Sequence, residues 1–343
     1  MTATAPSPGP AAAPSMQMMQ LLWPGALAVQ AVHAAAVLGV ADLIAGGKKT
    51  IDELAASTTS DAASLARLLR ALTSLGIFRE AASGGGRYEH TPLSDVLRRD
   101  HPASMRPWAL MLGAGFITRP TGALATAIRS GQPAFEHVFG TPFFSYLAEH
   151  PDDASLYDGA MSSLPSYTSA LARAYDFSPF NKVVDVGGGH GALLTSILTA
   201  HPTARGVLYD LPAVVAGATR PSEPSVAERL EIVGGDFFES VPAGADAYLL
   251  SAVIHDWDDE QALRILRNCR RAINAGGRLL ICDAVLTAAG DPARAMMDLL
   301  MMLLTRGRER TEEEFRALVR DAGFELIGVR STVGASILES RPV

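Results

Sequence analysis

The stretch Val183-Val184-Asp185-Val186-Gly187-Gly188-Gly189-His190-Gly191-Ala192 decides how the rest of the chain is read. Three valines around one aspartate run into four glycines, and Leu193, Leu194, Ile197 and Leu198 then follow at helical spacing. A buried strand, a tight turn and a helix start come in that order. Glycine suits such a turn because a β-carbon would hold a ligand off the backbone, and because left-handed φ is often required. The helix that follows offers unpaired N–H groups and the positive end of its dipole. A plain strand-to-helix turn has the same composition, so the loop alone names no ligand.

From Lys182 onward the texture is one of alternating strands and helices. Strands are expected at 183–186, 206–210, 230–233, 246–251 and 278–282, with amphipathic helices between them. That pattern predicts an α/β architecture with a doubly wound, mostly parallel sheet. Polar residues recur where those strands stop, at Asp185, Asp210, Asp236, Ser251 with His255, and Asp283. Open sheets of this kind bind ligands outside the carboxyl ends of their strands, so these side chains are expected at one site. Asp210 follows the glycine loop by one βα unit, where an acid accepts hydrogen bonds from ribose hydroxyls. Gly187-x-Gly189-x-x-Ala192 also satisfies a dinucleotide fingerprint. Three features weigh against a nicotinamide cofactor. The loop lies mid-chain behind a helical region, no acid–base pair for hydride transfer is apparent, and Gly235-Asp236-Phe237-Phe238 supplies an acid and an aromatic suited to adenine.

The region in front is helical. Residues 1–15 are rich in Ala, Pro, Ser and Thr and predict a disordered tail. From Met16 to Ile44 an apolar helix has so little polar face that it calls for a partner, either a layer of its own domain or a second subunit. His33 within it reads as a packed, hydrogen-bonded residue. A second helix opens at Thr50–Leu54, Thr58-Thr59-Ser60-Asp61 supplies caps, and Leu65, Leu68, Leu69, Leu72 and Leu75 form one helical face. Ile77-Phe78-Arg79, a Gly84-Gly85-Gly86 turn and Arg87-Tyr88-Glu89-His90 complete a hairpin. This is a winged-helix order, with Arg67 and Arg70 where a DNA reader would carry basic groups. The few other basic residues on that face, and a glycine wing without lysine, favour a dimerising module. Residues 91–180 read as further helices carrying Trp108, Phe116, Phe135, Phe139, Phe143 and Phe144, mostly core, with some set to wall a pocket for a flat apolar substrate. Phe177-Ser178-Pro179-Phe180 reads as a boundary. The expected domains are therefore 16–100, a linking segment at 101–180, and 181–343.

Composition sets further bounds. The 343 residues carry 29 basic and 36 acidic side chains, a net charge of −7, which disfavours nucleic-acid and anionic-membrane surfaces. Cys269 and Cys282 both lie in apolar periodic segments and read as buried free thiols; no metal site is expected. The first basic residue is Lys48, so no signal peptide is expected. The longest apolar run, 26–41, is interrupted by Gln30 and His33 and is short for a bilayer. A soluble, cytoplasmic protein is the expectation.

The motifs 184–191 (Val-Asp-Val-Gly-Gly-Gly-His-Gly), 209–212 (Tyr-Asp-Leu-Pro), 235–238 (Gly-Asp-Phe-Phe), 255–260 (His-Asp-Trp-Asp-Asp-Glu) and 308–315 (Arg-Glu-Arg-Thr-Glu-Glu-Glu-Phe) carry a resemblance. Together they are similar to the S-adenosylmethionine-dependent O-methyltransferases of the plant caffeate/flavonoid type and their actinobacterial natural-product relatives. The resemblance covers nearly the whole chain. It implies a Rossmann-like class I methyltransferase domain behind a helical, winged-helix-like dimerisation domain, assembled as a homodimer. It implies S-adenosyl-L-methionine held by Asp185, Gly187, Gly189, Asp210, Leu211, Asp236, Phe237 and Ser251. Ser251 stands where plant members often have lysine, and Asp283 where they usually have glutamate. His255 is implied as general base, flanked by Asp283 and Glu309, with Met161, Asp256 and Met301 toward a small aromatic or polyketide-like hydroxylated substrate. The chemistry calls for a base because a phenol is a poor nucleophile until its proton leaves, and imidazole titrates near neutrality. A rate rising through the ordinary histidine range is therefore expected. His-Asp-Trp also fits a capped helix start, with Asp256 or Asp258 as cap. Two other classes stay open. One is a relative that keeps the cofactor but hydroxylates or decarboxylates; the other is a winged-helix regulator that senses a ligand.

Overall fold

A computed structural model describes residues 13–343 except 48, 83–85, 164, 219, 288–289 and 333. The chain divides into two compact units, one ending at Ala114 and the other spanning Gly115–Val343. The expected tail, apart from residues 13–15, and Gly84-Gly85 of the expected turn lie outside the described residues.

In the first unit the expected 16–44 helix is two helices. Pro14–Val37 ends where Gly39 takes a left-handed φ of 65°, and Val40–Ala45 restarts from it. Glycine adopts that φ without strain, so the chain turns there and does not run straight through. The first of these helices is 24 residues long. It is the one helix among the described residues long and apolar enough, by length and composition, to cross a membrane. The shorter apolar run expected from the sequence is corrected, because Met18, Met19, Leu21, Leu22 and Trp23 extend it toward the N-terminus; these side chains are exposed, Trp23 at 73%. His33 behaves as expected. Its Nδ1 lies 3.2 Å from the Ala109 carbonyl, and Gln30 donates to the Gly113 carbonyl at 3.1 Å.

The winged-helix order is present in that unit. Thr50 and Glu53 form a reciprocal capping box on Ile51–Thr58, and Asp61 caps Ala62–Ser74 by accepting from the Ser64 N–H. Leu65, Leu69 and Leu72 are buried with Phe78 and Tyr88, whereas Leu75 at the helix end is exposed. Strands β1 (Lys49–Thr50), β2 (Phe78–Glu80) and β3 (Arg87–His90) form a sheet in the order β1-β3-β2. Arg67 and Arg70 are exposed on the helix between.

The second unit is built on β4 (Lys182–Val186), β5 (Arg205–Asp210), β6 (Leu230–Gly234), β7 (Ala245–Ser251) and β8 (Ile273–Asp283). All five expected strands are there and run parallel, in the spatial order β6-β5-β4-β7-β8. After β8 come the short β9 (Val285–Leu286) and β10 (Arg310–Thr311), which pair in parallel with each other. Two further strands, β11 (Phe324–Ser331) and β12 (Ser336–Pro342), extend the sheet past β8. Among the seven strands of this sheet β12 alone runs opposite to the other six. The chain winds outward from β4 to β6, then returns to place β7 against β4. That reversal is the crevice where such sheets take ligands. The helices of residues 115–180 belong to this unit. Phe177 and Phe180, read above as a boundary, are buried in its core with Val183, Leu194 and Leu208.

Candidate active site

Register brings the strand ends together. Asp210 lies opposite Gly234, and Ser251 opposite Cys282, so β4, β5, β6, β7 and β8 all stop at one edge. Beyond β4 the loop takes three left-handed turns, at Gly187 (φ 70°), Gly189 (58°) and Gly191 (82°), and the helix Ala192–Ala200 starts directly after. Two of these glycines answer different needs. A β-carbon on Gly187 would sit 2.8 Å from Val253, whereas one on Gly189 would meet nothing within 4 Å. Gly187 is thus fixed by packing, while Gly189 borders open space.

Asp210 is tied to that loop. Its carboxylate accepts from the Gly189 N–H at 2.8 Å and from the Leu211 N–H at 2.7 Å. Burial raises its pKa and these two N–H donors oppose the shift. Each oxygen keeps lone-pair capacity for a second donor. Asp185 is buried, and neither of its oxygens has a hydrogen-bond partner among the described residues. Burial, then repulsion from Asp210, lifts its pKa to about 7. One strand over, Asp236 accepts from the Phe238 N–H at 2.7 Å, and the Phe237 ring edge reaches the Gly187 position. Asn268 holds the Phe237 carbonyl at 2.6 Å. Ser251 is half-buried at the end of β7.

The next cluster is centred on His255, in the single turn Ile254–Asp256 just after β7. Ala252 enters that turn at a φ of 53°, in the left-handed region that a side chain rarely adopts, a strain usually met at functional turns. His255 Nδ1 lies 2.9 Å from Glu309 Oε1, and its Nε2 lies 3.8 Å from Asp256 Oδ1. Glu309 is brought there by the β9–β10 pairing, which zips the segment before Thr311 alongside the end of β8, where Asp283 sits. Asp298 on the helix Pro292–Leu304 accepts from the Glu309 N–H at 2.8 Å. Asp256, Asp283 and Glu309 are all buried, and both Asp283 oxygens and Glu309 Oε2 have no hydrogen-bond partner among the described residues.

Electrostatics follow from that crowding. Burial pushes the His255 imidazole down, but Asp256, Glu309 and Asp283 together outweigh it and hold its pKa up at about 10. The ordinary histidine range expected from the sequence is corrected accordingly. Burial raises Asp256 to about 7 against the pull of His255, and raises Asp283 in the same way. The structure also separates the two capping candidates. Asp258 caps the helix Asp259–Ala272 by accepting from the Gln261 N–H, which leaves Asp256 to the buried cluster.

Around these groups stands an aromatic wall. Phe144 stacks on Trp257 with ring centres 5.4 Å apart, and Trp257 meets Phe238 edge-on at 4.7 Å. Tyr157 meets Phe143 at 5.3 Å, and the charges of Asp256, Asp158 and Asp210 help burial raise its phenol. Its neighbour Asp158 lies 3.8 Å from His190 of the glycine loop. Met161 is one helical turn beyond Tyr157 and exposed, whereas Met301 is buried on the helix that carries Asp298. An open cleft of about 600 Å³ runs beside Phe144, Phe238, Asp256 and Trp257. Sequence reasoning missed Ala252, Tyr157, Asp158 and Arg310; only the last stood inside a quoted motif. Cys269 and Cys282 are buried and not joined in a disulfide, and among the described residues no group of three His, Cys, Asp or Glu side chains is placed to hold a metal ion.

Comparison with known proteins agrees with this geometry. Residues 122–325 match the O-methyltransferase domain and residues 21–100 the O-methyltransferase dimerisation domain. A phenazine O-methyltransferase of Lysobacter antibioticus is 43% identical over 332 residues, covering 96% of this chain and 95% of that protein. The chain belongs to the O-methyltransferases. Its fold agrees with the crystal structure of LaPhzM at a TM-score of 0.91 and 42% identity, over 96% of this chain and 100% of the other. An O-methyltransferase from neocarzinostatin biosynthesis, solved with S-adenosylmethionine and 2-hydroxy-5-methyl naphthoic acid, matches at a TM-score of 0.78 and 37% identity, over 92% and 96%. The family's cofactor is S-adenosylmethionine, and the residues present suit it. Carboxylates outnumber bases around the crevice, which fits a sulfonium cation, and Gly189 borders open space beside an acid able to accept hydroxyl donors. The exposed apolar side chains from Leu21 to Leu27 fall inside the match to the dimerisation domain.

Proposed function

We propose that this O-methyltransferase methylates a phenolic hydroxyl of a small aromatic or polyketide-type natural product, with His255 as general base. The observation that carries the reading is the 2.9 Å contact between His255 Nδ1 and Glu309, at the same sheet edge as the glycine loop and Asp210. Asp185, Gly187, Gly189, Asp210 and Leu211 take the methionine and ribose parts of the cofactor, Asp236 and Phe237 the adenine, with Ser251 beside them. The bound cofactor supplies an electrophilic methyl on a sulfonium, with a neutral thioether as leaving group.

The chain then has three tasks: to align the acceptor, exclude water and take one proton. Glu309 accepts from Nδ1–H, which fixes the ring and leaves Nε2 to receive the acceptor's proton. Asp283 and Asp256 stabilise the imidazolium that results. The aromatic wall of Phe143, Phe144, Tyr157 and Trp257, with Met161 and Met301, suits a flat acceptor. Phenazine and naphthoate, named for the relatives, are flat in the same way. The exposed apolar helix face and the dimerisation domain support a homodimer, and the cytoplasm is its proposed compartment.

The test is a panel of hydroxylated aromatics incubated with methyl-labelled S-adenosylmethionine and read by mass spectrometry. A labelled methyl ether should form, and His255→Ala should lower turnover by about 10²–10⁴-fold. Cofactor affinity should be unchanged, and the protein should sediment as a dimer. Turnover by His255→Ala within a few-fold of wild type would remove the base assignment; a product formed without the label would favour the changed-chemistry class.

A further inference from the structure

Glu309 and Arg310 are consecutive, opposite in charge, and both engage the turn that carries His255. Arg310 is fully buried. Its guanidinium donates from Nη1 to the Ile254 carbonyl at 3.0 Å and from Nη2 to the Trp257 carbonyl at 2.8 Å. Those two carbonyls bracket His255 and Asp256. Nε and Nη2 also donate to Asp259 Oδ1 at 3.0 and 2.8 Å, at the first residue of the helix that follows. One planar fork therefore spans the turn from its entry to its exit. Lysine, a point charge on a flexible stem, cannot bridge three acceptors in that way.

We infer that Arg310 is a positioning residue for methyl transfer: it clamps the Ile254–Asp259 turn so that His255 Nε2 faces the acceptor at one fixed angle. This rests on His255 being the base. The rigid hold matters because proton abstraction tolerates little displacement. The other backbone bonds of the turn are the Ala252 N–H to the Cys282 carbonyl at 3.1 Å and two within the turn itself, from Asp256 to Val253 and from Trp257 to Ile254. None of them ties its exit to the next helix as Arg310 does, and Ala252 also holds a strained φ at its entry. Arg310 has a second consequence through charge. Burial raises Asp283, and against that rise Arg310 is a second cation, after His255, that pulls it down. Without it, the carboxylates would hold the imidazole proton more tightly.

The experiment compares Arg310→Lys and Arg310→Met, each in the wild-type and the His255→Ala background, with active sites counted by cofactor binding. Arg310→Met should lower kcat by about 100-fold, the order expected when a catalytic group is displaced by an ångström. KM for cofactor and acceptor should stay within about 3-fold, because no group that binds either has been removed. The rise of rate with pH should move to higher pH in Arg310→Met, and stay in place in Arg310→Lys, which keeps the charge but loses the clamp. In the His255→Ala background, Arg310→Met should cost no more than about 3-fold further, since residues that act as a unit are not additive. Equal losses in both backgrounds, or losses that vanish once folded sites are counted, would overturn the proposal. If His255 is not the base, the His255→Ala single variant stays active, which is a different outcome and identifies the failed premise. Should Arg310→Met not fold, Asp259→Ala releases the outer edge of the fork from a half-exposed position. It should show the same non-additivity with a loss of about 10-fold.

Discussion

Gly307 approaches His255 so closely that a β-carbon on it would lie 1.9 Å from the His255 carbonyl oxygen, and 2.5–2.7 Å from Asp256 backbone atoms. The obstacle is main chain, which cannot swing aside as a side chain would. Glycine is required here by proximity and not by an unusual φ. Gly307→Ala must therefore push the 305–309 segment off the His255 turn, lengthening the Glu309–His255 contact. Overpacking of this kind costs about 1–3 kcal/mol of stability. We expect a comparable loss in turnover, about 10–100-fold, because the base and its partner lie on the two parted segments. Cofactor affinity should hold, since the glycine loop and Asp210 are elsewhere. Calorimetric cofactor titration beside steady-state rates checks both halves; an unchanged kcat would show that the two segments tolerate separation.

Asp210 gives the complementary result. Its carboxylate already accepts two backbone N–H groups and, on the proposed reading, the two ribose hydroxyls as well. Hydrogen bonds to a charged group contribute about 1.5–3 kcal/mol each way they are lost. Asp210→Asn keeps the shape, removes the charge and turns one acceptor into a donor facing an N–H. Cofactor binding should weaken by about 10–100-fold. The melting temperature should fall only slightly, because the glycine loop also bonds to the Tyr209 carbonyl through Gly187 at 2.8 Å. Equal affinity in the variant by calorimetry would take Asp210 out of the site.

Much of this was legible in the sequence, for identifiable reasons. Glycine at 187, 189 and 191 signals left-handed turns, and the strand-terminal acids Asp185, Asp210 and Asp283 signal a ligand edge, because each rule is local to a few residues. The β11 and β12 strands escaped because Phe324–Ser331 shows only a short alternation, and because the hairpin it makes with β12 joins the sheet only through the remote β8. Gly307 and Arg310 were invisible as site residues for a related reason. Their roles exist only through approach in space, after β9 and β10 pair and carry the 305–311 segment to the His255 turn. Asp256 and Asp258 were equivalent capping candidates on paper, and only the hydrogen bond from Gln261 to Asp258 tells them apart. The helix over 16–44 was legible from its apolar run, but its break was not, because the left-handed φ of Gly39 that divides it into Pro14–Val37 and Val40–Ala45 leaves no mark in the hydrophobic pattern.

The pH dependence tests the electrostatics of the base directly. His255 is held up at about 10, above its unfolded value near 6.5, by three buried carboxylates. Below the unfolded value the protonated imidazole contributes its full stabilisation to the fold. As pH rises through the folded value that contribution is lost, so the protein should become less stable at alkaline pH. For the rate the sign is reversed: the base must be neutral, so kcat/KM of the free enzyme should climb from pH 7 toward 10 and not level off near 6.5. The cluster titrates as a unit, with Asp256 ionising at about 7, so the climb should be broader than a single ionisation. Glu309→Gln separates the contributions. It removes one of the charges holding the proton and weakens the bond to Nδ1, so the imidazole should lose its proton at lower pH. The rising limb should shift down by about one pH unit, equivalent to roughly 1.4 kcal/mol. The plateau should fall about 10–100-fold, because the ring is less firmly aligned and the imidazolium less stabilised. This shift is opposite in direction to that expected for Arg310→Met. A Glu309→Gln limb that coincides with wild type would mean that the titration seen in the rate belongs to another group, such as the phenol of the acceptor. Repeating the profile with an acceptor of lower phenol pKa decides between them, since only a limb set by the acceptor would follow it.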